Sequence, residues 1–70
     1  MKEDFKYIRF KVIRASNLKY LFEQFDDEPR PFEVVVHPPI GKIGVRPVTI
    51  KASNKEDAEY FKGILDKLSY

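Results

Sequence analysis

A two-layer α+β fold follows from three features of this 70-residue chain. Residues 5–14 alternate apolar and basic side chains with period two. Residues 58–68 repeat apolar side chains at helical spacing behind a cap sequence. Between these segments lie two short runs rich in β-branched residues, 32–36 and 45–52. A chain of this length holds one core, so residues 1–70 form a single small domain.

The first run, Phe5-Lys-Tyr-Ile-Arg-Phe-Lys-Val-Ile-Arg14, reads as a half-buried strand. Ile8, Phe10 and Val12 share one face. Phe5, Tyr7, Arg9, Lys11 and Ile13 share the other, which the basic residues mark as the solvent side. Ser16 or Asn17 then caps a short helix. Leu18, Leu21, Phe22 and Phe25 form its apolar stripe. Asp26, Asp27 and Glu28 crowd its end, where the macrodipole disfavours anions, and Pro29 and Pro31 stop it.

Phe32-Glu-Val-Val-Val36 gives a second strand, closed by Pro38 and Pro39. Val45 to Ala52 gives a third. Val48, Ile50 and Ala52 lie on one of its faces, Thr49 and Lys51 on the other. Pro47 donates no hydrogen bond, so it belongs at the start of this strand or at an unpaired position. Ser53-Asn54-Lys55-Glu56 reads as a capping box for the last helix, whose apolar stripe is Ala58, Phe61, Ile64, Leu65 and Leu68.

The order β-α-β-β-α makes a three-stranded sheet with two helices on one face. It is similar to a split β-α-β, ferredoxin-like arrangement truncated before its final strand. If the first strand pairs with the third, its far edge stays free. Lys6, Arg9, Lys11 and Arg14 would guard that edge, or a second copy would pair with it to give a homodimer.

Composition excludes several classes of protein. With 43% hydrophobic and 14% aromatic residues the chain is not disordered. No apolar run approaches the ~18 residues of a membrane span, and Met1-Lys-Glu-Asp-Phe-Lys6 is no apolar leader. No cysteine is present, so disulfides and thiolate metal sites are excluded, and a cytoplasmic location is expected. His37 is the only histidine, too few for a dedicated metal site. Ser16, Ser53 and Ser69 have no evident base, so neither a catalytic residue nor a cofactor is expected.

The net charge of +2 is unevenly spread. Residues 1–19 carry +4, residues 20–29 carry −4, residues 30–51 carry +3 and residues 52–70 carry −1. The strands and the 37–47 loop are basic. On the expected topology the open sheet face presents Tyr7, Arg9, Lys11, Val35, His37, Thr49 and Lys51. Cations with an interleaved ring suit RNA or single-stranded DNA, with phosphates neutralised and a base stacked. Tyr7, Arg9, Lys11, Lys42, Arg46 and Lys51 are the expected contacts, and a small non-catalytic nucleic-acid-binding module is the leading expectation.

The alternative is a protein-interaction adaptor or small inhibitor that uses the open edge and the apolar loop residues Ile40 and Ile43. The expected resting place of Ile40, Ile43 and Val45 is folded back on the sheet end. Ile40-Gly-Lys-Ile-Gly44 resembles the Gly-x-x-Gly backbone clamp of KH domains. That clamp joins two helices, whereas a strand follows here, so the family is not assigned.

Overall fold

The computed structural model describes residues 4–69. Its elements are β1 (Tyr7–Arg14), one 3-10 turn (Ala15–Asn17), α1 (Leu18–Asp26), β2 (Phe32–Val36), β3 (Val45–Ala52) and α2 (Lys55–Leu68). The fold is α+β, with a three-stranded antiparallel sheet in the order β1-β3-β2. β3 is central. Val48, Ile50 and Ala52 pair with Lys11, Arg9 and Tyr7 on one side and with Val36, Val34 and Phe32 on the other.

Both helices cover the face of the sheet that carries these β3 residues. Ile13, Val48, Ile50 and Ala52 pack there with Leu21 and Phe25 of α1 and with Ala58, Phe61 and Leu65 of α2. Phe25, Phe32 and Phe61 form a ring cluster with centroids 4.8 to 5.9 Å apart, in tilted and edge-on geometries that suit aromatic quadrupoles. Phe22, expected in the α1 stripe, is 51% exposed. Only a narrow stripe of so short a helix reaches the core.

The helix starts differ from expectation in detail. Asn17 precedes α1 without capping it through its side chain; its Nδ2 instead donates to the Leu68 carbonyl at 3.1 Å, tying the start of α1 to the end of α2. The cap of α2 is Asn54, whose side-chain oxygen accepts from the Asp57 amide at 2.8 Å. The capping pair is therefore one residue later than the expected Ser53–Glu56 pair. Arg30 bridges the α1–β2 link to α2. It reaches Glu28 at 3.0 Å and Asp57 at 3.5 Å, and its guanidinium carbon lies 4.0 Å from the Tyr60 ring centroid.

Pro47 lies inside the central strand, opposite Val12. Its carbonyl accepts from the His37 amide at 2.9 Å. In an antiparallel ladder a residue's nitrogen and carbonyl point to the same neighbour. The missing donor therefore falls toward β2, just past that strand's last residue, where the ladder is already ending.

Candidate docking surface

The register of β1 reverses the expected polarity of that strand. Tyr7, Arg9, Lys11 and Ile13 lie across from Ala52, Ile50, Val48 and Arg46, on the helix side. Ile8, Phe10 and Val12 lie across from Lys51, Thr49 and Pro47, on the open side. Ile13 is fully buried, whereas Ile8 is 52% and Phe10 59% exposed. Tyr7 packs against the edge of the core.

Arg9 and Lys11 can face the helix layer because β1 is an edge strand. Their long stems run past the rim of α2 and their charged heads meet its acids, as amphipathic side chains do at a boundary. Arg9 Nε donates to Glu59 at 3.0 Å, and its terminal nitrogen makes a closer ion pair with the same carboxylate. Lys11 Nζ lies 3.0 Å from Asp66, which Lys62 also approaches at 3.2 Å. The Arg9 hydrogen bond holds the Glu59 carboxyl below its ordinary value. The hydrogen bonds from Lys11 and Lys62 lower Asp66 likewise.

The open face therefore shows Ile8, Phe10, Val12 and Arg14 along β1, Thr49 and Lys51 along β3, and Glu33 and Val35 along β2, with His37 beside them. Val35, His37, Thr49 and Lys51 occupy the face expected of them; Tyr7, Arg9 and Lys11 do not. The polar groups on this face satisfy one another. Lys51 pairs with Glu33 at 3.5 Å. His37 Nε2 shares a hydrogen bond with Thr49 Oγ1 at 2.7 Å. The His37 ring also lies 6.2 Å from that of Phe10. Val45 and Pro47 are buried and Val12 is half-buried, so the exposed apolar area lies on Ile8, Phe10 and Val35.

Both sheet edges are guarded. Arg9 Nη1 donates to the Ile8 carbonyl at 2.9 Å, occupying one acceptor of β1. Ser69 makes an isolated antiparallel bridge to Ile13 at the other end of the strand. β2 is only five residues long and lies between prolines. Inward charges, short strands and prolines are the usual devices against strand addition.

The loop does not fold back as expected. Ile40 is 53% and Ile43 61% exposed, and only Val45 is buried. Gly41 and Gly44, at φ 59° and 72°, make the tight reversals, and the Gly44 carbonyl accepts from the Ala15 amide at 2.8 Å. Arg46 Nε donates to the His37 carbonyl at 2.8 Å, so this cation serves the base of the loop. Lys42 is exposed at the loop's far end. The six residues expected to contact nucleic acid are therefore divided among the helix-side rim, the open face and the loop. The apolar row on the open face was missed, although the pairing of Arg9 and Lys11 with Glu59 and Asp66 has a sequence signal. Glu59 and Asp66 lie two helical turns apart on one side of α2, about 10 Å, and two adjacent same-face cations of a strand span about 7 Å.

Among the described residues no three His, Asp or Glu side chains gather into a metal cluster. No helix of the described residues is long and apolar enough to cross a membrane. Comparison with protein-family models, with curated proteins and with solved structures gives no match to this chain.

Proposed function

We propose that this protein is a non-catalytic protein-interaction module and that the open sheet face is its docking surface. The carrying observation is the exposed apolar group Ile8, Phe10 and Val35, with half-buried Val12 beside it, on a face where Lys51 is paired with Glu33. An exposed apolar patch favours a partner, and apolar side chains suit a protein surface better than a phosphate backbone. Three strands spaced ~4.8 Å apart and up to eight residues long give a face of roughly 14 by 26 Å. One amphipathic helix, about 10 Å across, would lie along the exposed apolar side chains of such a face. On the same reading the fold is a split β-α-β, ferredoxin-like domain short of its last strand. The strand order and the Ile13–Ser69 bridge beside β1 support this.

Nucleic-acid binding is the second reading, and one observation favours it. The Phe10 and His37 rings stand together on an open sheet, where bases could stack. Against it, Arg9 and Lys11 are held at α2 and Lys51 at Glu33, and Lys42 lies away at the far end of the loop.

The test compares the wild type with Phe10→Asp, Ile43→Ser and the Arg9→Ala/Lys11→Ala pair. Each is immobilised for capture of protein from the source cells and titrated with labelled RNA and single-stranded DNA at two salt concentrations. Capture of a stoichiometric partner that Phe10→Asp abolishes, with the loop and rim variants unaffected, is the expected result. Capture of a second copy through the same face would make the module a homodimer. Capture that survives Phe10→Asp would overturn the assignment. Salt-dependent nucleic-acid binding lost in Phe10→Asp would replace it with the second reading.

A further inference from the structure

The helix layer carries a separate feature. Between α1 and α2 lies a groove of about 440 Å3, lined by Tyr20 and Gln24 of α1 and, among residues of α2, by Tyr60, Gly63, Ile64 and Lys67. Tyr60, Gly63, Ile64 and Lys67 stand at three- and four-residue spacing, so they form one side of α2. Tyr20 and Tyr60 are 48% and 40% exposed.

Gly63 is the informative residue. It lies in the interior of α2, where glycine is the poorest residue after proline. The fold gives no reason for it. Its φ is not positive, and a Cβ placed there would meet no atom within 4 Å. No neighbouring backbone needs the space, and the missing side chain leaves the groove open beside the tyrosines.

The free charge at the groove is positive. Lys67 is in the last turn of α2, and Lys19 Nζ lies 5.1 Å from the Tyr20 ring centroid. Among the described residues neither lysine makes an ion pair. Glu59, the carboxylate in the lining, is engaged by Arg9.

We propose that this groove binds a small anionic amphiphile. Its aromatic or branched apolar body sits over Gly63 between Tyr20 and Tyr60, against Ile64 and Leu68, and Lys67 holds its carboxylate or sulfonate. The volume falls within the ~300–1,000 Å3 of small-molecule sites, which combine apolar walls with a few placed polar groups. This site is independent of the open sheet face, on the opposite side of the molecule.

The experiment is a titration of the isotope-labelled chain with anilinonaphthalenesulfonate, a planar apolar body bearing one anion, followed by amide shifts. Shifts should cluster at Tyr20, Gly63 and Lys67. Gly63→Leu, which fills the groove with a better helix former, should weaken binding by about tenfold or more. Lys67→Glu should weaken it several-fold and reverse its response to salt, and it tests the site should the leucine variant misfold. Phe10→Asp should leave the affinity unchanged, which separates this site from the docking face. Shifts centred on Ile8, Phe10 and Val35, an affinity indifferent to both groove variants, or no binding would each overturn the proposal.

Discussion

β3 and β1 lie side by side in one sheet and use opposite rules. On β3 the helix-side residues are Val48, Ile50 and Ala52, all buried, and the outer ones are Thr49 and Lys51. On β1 the helix side holds Arg9 and Lys11 between Tyr7 and Ile13, while Ile8 and Phe10 face out. The difference is lateral position. The stretch Val48–Ala52 of the central strand lies beneath the helices, where a cation would be stripped of water at large cost; Arg46, at the start of the strand, reaches out to the His37 carbonyl. An edge strand lies beneath their rim, where a long stem can pass and deliver its charge to Glu59 or Asp66. Helix-facing and core-facing are therefore the same thing in the middle of a sheet and different things at its border. In a domain this small, two of the three strands are borders.

The largest test of the comparison is truncation of one ring on each face. Phe61→Ala removes a fully buried ring from the core and should cost about 3–5 kcal/mol. A domain of this size has only ~3–5 kcal/mol of net stability, so the variant should be largely unfolded. Phe10→Ala should change stability by less than ~1 kcal/mol, since most of that ring is already in water. Urea titrations followed by circular dichroism read both. Equal losses would mean that the open face is covered and that the polarity of β1 is misassigned.

A medium effect comes from making the outer row of β1 obey the ordinary rule. The double variant Ile8→Lys/Phe10→Lys leaves the core untouched, and its melting midpoint should move by no more than about 4–8 °C, or ~1 kcal/mol. Ile13→Lys, one step along the same strand but fully buried, should abolish the transition. A collapse of the outer-row variant comparable to that of Ile13→Lys would erase the distinction between the two faces of this strand. Far from the border, Asn54→Ala should cost about 1 kcal/mol through loss of the α2 cap, a reference against which the outer-row effect can be ranked.

These contrasts show which parts of the fold were legible in the sequence. Strand and helix periods depend on spacing alone, and they located β2, β3 and the stripe Ala58, Phe61 and Leu65 without reference to anything distant. The prolines located the ends. The polarity of β1 was not legible in the same way. Its two faces hold apolar residues in similar number, and charge was the only tie-breaker. Charge marks the solvent side only where no counter-ion waits inside, and here two waited, on an element fifty residues away. The candidate site inherited that error, because the open face was built outward from Arg9 and Lys11. Val35, His37, Thr49 and Lys51 were placed correctly because β2 and β3 pack as ordinary half-covered strands. The exposed loop residues Ile40 and Ile43 illustrate the same limit: apolar character predicts burial only when a neighbour is there to supply it.

The smallest effect is the one that bears most directly on why β1 is inverted. Glu59 and Asp66 are held below their ordinary values in the folded chain, first by the hydrogen bonds from Arg9 and from Lys11. A carboxyl with a depressed folded value adds stability above its unfolded value and loses it as the pH falls through the folded one. Stability should therefore decline on the acid side of the ordinary carboxylate range, and added salt should shrink the effect, since both pairs are partly open to solvent. Glu59→Gln/Asp66→Asn should flatten that acid limb while changing little at neutral pH. If the pairs set the polarity of β1, Arg9 and Lys11 in this double variant should lose their fixed positions and amide exchange along Tyr7–Lys11 should quicken, with the core unchanged. An acid limb identical to the wild type would show that the cations face α2 for want of any other place. Tyr7 and Ile13, packed at either end of the strand, would then fix its orientation by themselves.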